Sequence, residues 1–266
     1  MILRQALDVP DGGSLGIAVL LVVGAALAYL GIALARRLVP ARAAPRSSWS
    51  GLDLVVVIVV FLLAQPVATI VFPGADVLAA IVQTQLTFLC ALVPVFLVAR
   101  SMPGGVATLG IAWSGGARAI VAGTLAYALC FPGILGVLEV AGRLAREAGR
   151  EGNTDRIVAE LRGLPGQELA LAVGLAVFLG PLLEELLFRG FLQSFASQYL
   201  GRTRGAIVAA LLFAPLHGVA DSGPVFALAL LLGWLRQRTQ SLLAPWAVHS
   251  LNNGLMLYLA LRWGVE

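Results

Sequence analysis

Long apolar runs separated by short polar breaks organise the chain from end to end. A hydrocarbon core about 30 Å thick needs roughly 20 apolar residues per helix, so windows of that length read directly as spans. They fall at about 14–38, 52–72, 77–99, 117–140, 168–188, 205–220, 224–236 and 242–262, the sixth and seventh being the shortest. The expected fold is all-α, a polytopic membrane helix bundle of about eight transmembrane helices. Gly, Pro and Arg punctuate the connections, and no soluble domain of useful size separates out. The expected organisation is a single membrane domain over 1–266, with four N-terminal spans over 14–140, an interfacial helical linker over 142–167 and a core over 168–262. In the linker Thr154 precedes Asp155 as a cap, Ile157, Val158, Leu161 and Leu164 recur at helical spacing, and Gly163 and Pro165 end the helix. Pro66, Pro94, Pro132 and Pro181 lie within or near apolar runs and predict kinks.

Composition strengthens this reading. Hydrophobic residues make up 59% of the 266 positions and charged residues only 12%, which excludes an ordinary soluble domain. Residues 1–13 carry Arg4, Asp8 and Asp11 without a typical signal-peptide start, so the first run reads as a retained helix. The net charge of +4 rests on arginine, since the chain has no lysine. Arg36, Arg37, Arg42, Arg46, Arg100, Arg118, Arg202, Arg204, Arg236 and Arg238 fall on alternate loops. That pattern places those loops in the cytoplasm and does not point to nucleic acid. The arginines between 142 and 168 oppose this orientation. Cys90 and Cys130 sit in apolar windows without metal or redox spacing and read as packing residues.

Three polar constellations interrupt the later runs. In Gly180–Pro181–Leu182–Leu183–Glu184–Glu185–Leu186–Leu187–Phe188–Arg189–Gly190 two carboxylates and an arginine occupy an apolar helix, where each charge costs about 2.5–3.5 kcal/mol at the centre of a span. The bland alternative is that they mark the cytoplasmic end of that span. Glu185 and Arg189 are four apart and share a face, whereas Glu184 points about 100° away and stays available as a general base. The chain's two histidines, His217 and His249, lie in later apolar windows, and each alone would pass as an interhelical hydrogen-bonding residue. His249 and Asn253 share a face and offer two donors suited to an oxyanion, while Asn252 faces elsewhere. Glu184, His217, His249 and Asn253 are therefore the candidate reaction centre, several ångströms below the cytoplasmic surface.

These residues resemble the motifs of the CPBP family of intramembrane proteases, also called the CAAX protease, Abi or bacteriocin-processing family. Its Glu-Glu-x-x-x-Arg motif matches Glu184 to Arg189, its Phe-x-x-x-His motif Phe213 to His217, and its His-x-x-x-Asn motif His249 to Asn253. The resemblance covers about 169–258. It implies an intramembrane endopeptidase of a bacterial or archaeal cytoplasmic membrane, acting on a membrane-associated polypeptide: a prenylated CAAX-type protein, a leader or a sorting tail. It further implies that Glu184 and His217 activate water and that His249 and Asn253 hold the oxyanion, with Glu185, Arg189 and Phe213 in support. No cofactor is favoured; in an older view of the family Glu184, His217 and His249 ligate a catalytic zinc. The rival readings are an ion- or proton-coupled transporter using the same charges and a catalytically idle membrane scaffold.

Overall fold

In a computed structural model of the protein, residues 14–42, 47–111, 116–149, 153–218 and 221–263 are described. They form helices and no strand: α1 (Ser14–Leu38), α2 (Gly51–Val71), α3 (Val77–Ser101), α4 (Gly116–Glu147), α5 (Asn153–Arg162), α6 (Gly166–Leu200), α7 (Arg202–Phe213), α8 (Ser222–Thr239) and α9 (Leu243–Trp263). Short 3-10 turns follow α3 at Gly105–Leu109 and α7 at Ala214–His217. Five of the described helices, α1 to α4 and α6, are long and apolar enough to cross a membrane. The bundle is the helical membrane fold expected from the apolar runs. Residues 1–13, Arg46 and the Thr154–Asp155 side-chain cap lie outside the described residues.

Local chemistry sets several helix starts. Ser50 caps α2 by a reciprocal box, its hydroxyl accepting from Asp53 N at 3.2 Å while Asp53 Oδ2 accepts from Ser50 N at 2.7 Å. Asp76 caps α3 by accepting from Ala79 N at 2.8 Å. α1 lies along α4 with the backbones almost touching: a Cβ on Gly24 would run into Gly133 Cα, and one on Gly31 would meet Leu129 Cβ at 3.0 Å. Small residues of this kind permit the close approach that holds helices together where lipid supplies no hydrophobic drive. The outer faces of α1 and α2 stay apolar and open, with Val22, Leu62 and Ile70 all exposed. Cys130 is buried in that packing, whereas Cys90 faces outward and so departs from the packing role expected of it.

Two large clusters and a smaller one form the interior among the described residues. One joins α4, α8 and α9 through Ala126, Tyr127, Leu232, Leu235 and Val248. The other surrounds α6, where edge-on aromatic contacts run from Phe61 to Phe88, Phe188 and Phe213 with ring centroids 5.5, 6.4 and 4.9 Å apart. The linker helix α5 buries Val158 and Leu161, the latter packing with Val77 and Ala172.

α6 departs most from the sequence reading. Its expected end near Arg189 is corrected by a continuous helix running to Leu200. Arg189 does not need water, because Glu185 lies 3.0 Å away and Phe213 under its guanidinium at 4.3 Å. Glu184 thus precedes the helix end by sixteen residues, ~24 Å at 1.5 Å per residue. Two wide π turns, Leu175–Leu179 and Leu186–Leu192, bracket the α-helical Gly180–Glu185 segment. Pro181 accounts for the first: Gly180 N bonds Leu175 O five residues back, and the wide turn would then pair Ala176 O with residue 181, which has no N–H. Asn253 supplies the missing donor, Nδ2 to Ala176 O at 3.1 Å, and Trp246 Nε1 donates to Phe178 O at 3.1 Å. The wide turn is therefore held by α9.

Helix ends rich in arginine are laced together at one rim. Arg238 donates to Val39 O at 2.7 Å and Arg36 O at 2.8 Å, and Arg236 to Thr108 O at 3.1 Å. Arg202 and Gln237 exchange bonds with each other's backbone carbonyls. Gln198 donates to Trp49 O and accepts from Trp49 N at 2.9 and 3.1 Å.

Candidate active site

Glu184, His217 and His249 come together from α6, the turn after α7, and α9. Glu184 Oε2 lies 4.0 Å from His217 Nε2 and 3.7 Å from His249 Nε2. That oxygen is buried and accepts no hydrogen bond among the described residues. The site stays accessible on one side, since the side chain of His217 is 32% exposed while that of His249 is only 2% exposed. The second wide turn of α6 begins directly after the carboxylate pair, and such turns re-aim side chains relative to a regular helix.

Glu185 is fully buried and serves two partners. Its Oε1 accepts from His249 Nδ1 at 2.9 Å and lies 3.0 Å from Arg189 Nη1. The arginine is close in distance but its N–H is not aligned as a hydrogen bond. A carboxylate receiving Nδ1–H fixes the histidine's tautomer at that nitrogen and turns Nε2 toward Glu184. His217 is oriented by Phe213, whose carbonyl lies 3.4 Å from Nδ1 and whose ring centroid is 4.7 Å from the imidazole. Phe213 also meets His249 edge-on at 5.8 Å, so one ring contacts both histidines and Arg189.

Asn253 stands one turn beyond His249 on α9. Its described bonds run to Ala176 O and from Asn252 Nδ2, at 3.1 and 3.3 Å, rather than to Glu184 or either histidine. One amide hydrogen is thereby committed to the backbone and the other remains. Tyr127 extends the chain by donating to Asn252 Oδ1 at 3.0 Å. Sequence reasoning missed Tyr127 and the role of Asn252; a tyrosine in an apolar run and paired asparagines in another were the available signals. The three zinc candidates stand wider than ligation requires, since nitrogen and oxygen ligands at 2.0–2.1 Å from a tetrahedral ion sit ~3.3 Å apart. No group of three His, Cys, Asp or Glu among the described residues is disposed to hold a metal ion.

Residues 166–255 match the family of type II CAAX prenyl endopeptidases, Rce1-like. No curated protein and no solved structure matches the chain. The matched stretch contains α6, α7 and α8 entire, and the part of α9 that bears His249 and Asn253. Over this stretch, about a third of its length, the chain is similar to the type II CAAX prenyl endopeptidases, consistent with the resemblance of its motifs to the CPBP, or CAAX protease, family.

Proposed function

We propose that the protein hydrolyses a peptide bond of a lipid-modified, membrane-associated polypeptide with water activated by Glu184. The carrying observation is the buried Glu184 Oε2, which faces the Nε2 atoms of both histidines and accepts no hydrogen bond among the described residues. A water there gives a proton to Glu184 while His217 orients it, and its oxygen adds to the scissile carbonyl carbon. The carbonyl oxygen becomes an oxyanion that faces His249 Nε2 and receives the second amide hydrogen of Asn253. Collapse breaks the C–N bond as Glu184 returns the proton to the leaving amine. Glu185 and Arg189 act as positioning residues, the first through His249 and the second through Glu185.

An apolar cavity of about 700 Å³ between α2, α6 and α7 supports the lipid-modified substrate. It is lined by Leu54, Phe61, Phe191 and Phe195 and reaches Leu212 and Leu216, the last adjoining His217. That volume lies within the range of small-molecule sites, and its position leads a hydrocarbon chain toward the carboxylate. The zinc reading draws on one feature, the engagement of both histidine Nδ1 atoms, which is usual for metal-bound imidazole. No step above is routed through a metal.

The test is cleavage of C-terminal peptides, with and without a prenyl group, by purified full-length protein in vesicles. Glu184→Gln is expected to lower kcat at least about a thousandfold with Tm unchanged, in line with loss of a general base and its charge. Comparable cleavage by this variant would remove Glu184 from the chemistry, and equal cleavage of unmodified peptide would remove the lipid requirement. Stoichiometric zinc by elemental analysis, with activity lost on chelation and restored by zinc, would make Glu184, His217 and His249 ligands instead.

A further inference from the structure

A second cavity, of about 220 Å³, opens at the arginine-rich rim between α6, the start of α7, the end of α8 and the Gly105–Leu109 turn. Its charged lining residues are Arg189, Arg202 and Arg236, and its remaining lining is neutral and polar, with no carboxylate among the described residues. Arg236 is 4% exposed and among the described residues has only neutral partners, Gln240 Oε1 at 3.2 Å and Thr108 O at 3.1 Å, while its Nε has none. Among the described residues the Arg202 side chain donates to the carbonyl of Gln237 alone. Arg189, 1% exposed, reaches Glu185 with Nη1, but Nη2 finds no partner. Glu185 offsets Arg189; Arg236 is buried with dipoles alone among the described residues, and the exposed Arg202 stands on the same cavity.

A buried cation without a countercharge is strongly disfavoured, so this cavity is complete only with an anion in it. Guanidinium groups match tetrahedral oxyanions, to which they donate in pairs, and the amides of Gln193, Gln237 and Gln240 line the same space. The volume holds a phosphate group with several waters, each needing ~30 Å³. The cavity lies among arginine-bearing helix ends, and basic pockets between helices take lipid headgroups. We propose that Arg189, Arg202 and Arg236 form a binding site for a phosphate group, supplied as inorganic phosphate or as the headgroup of an anionic phospholipid.

The test uses the full-length protein and reads thermal stability, so its outcome is separate from that of any cleavage assay. In detergent, sodium phosphate is titrated against sodium chloride at constant ionic strength. In parallel the protein is placed in phosphatidylcholine vesicles with and without phosphatidic acid. A saturable rise in Tm with inorganic phosphate is expected, its midpoint moved about tenfold or more to higher concentration in Arg202→Gln and Arg236→Gln. Where Arg236→Gln fails to fold, the exposed Arg202 carries the test alone. A rise seen only with phosphatidic acid, and weakened by Arg202→Gln, assigns the site to a headgroup. No rise from either source, or a rise that Arg202→Gln leaves unchanged, overturns the proposal.

Discussion

Adjacent carboxylates on one helix diverge by about 100°, and at Glu184 and Glu185 that angle sends the two side chains to different partners. Glu185 faces inward to Arg189 and His249, while Glu184 faces the partly open space between the histidines. Removing Arg189 leaves a buried carboxylate without its cation, so Arg189→Ala should cost about 3–5 kcal/mol. The measurements are Tm and folded yield after purification. A variant as stable as the parent would dissolve the pairing, whatever its activity. Glu184, Glu185, Arg189, His217 and His249 were all legible in the sequence because each breaks an apolar run. The bond between Glu185 and His249 was not legible. It joins residues 64 apart, and only the packing of α9 on α6 brings them within 2.9 Å.

At the scale of the helix, the first four apolar runs gave the starts of α1 to α4 within a residue or two, because length and hydropathy alone decide them. α6 was read too short, since an arginine in a run ordinarily marks its end and the compensating partners are invisible in one dimension. The wide turn before Pro181 explains why Asn253 bonds Ala176 O. Asn253→Ala strands that carbonyl and should cost about 1–3 kcal/mol apart from any effect on catalysis. With Pro181→Ala the chain regains an N–H at 181, and the same asparagine substitution should then cost much less. A double-mutant cycle read by Tm checks this, and an equal cost in both backgrounds refutes the link between proline and asparagine.

The molecule as a whole carries helices of unequal reach. α6, with 35 residues, extends ~52 Å, well beyond a hydrocarbon layer of about 30 Å. Beside it, the 12 residues of α7 and the 4 of the following turn extend only ~26 Å before Gly218 turns the chain back. Leu211 is exposed on this short arm, Leu212 and Leu216 border the apolar cavity, and His217 stands at the arm's tip. A helix shorter than its membrane draws the bilayer thinner around it, at a cost of fractions of a kcal/mol per ångström. On the proposed function, lipid tails next to His217 are pressed to give way, and water would reach Glu184 from the side on which His217 is exposed. Acyl length then becomes a control on the reaction. In vesicles of fixed headgroup, cleavage should rise as the chains shorten from about 20 carbons to about 14, and a rate indifferent to thickness would show that water reaches the carboxylate by another path.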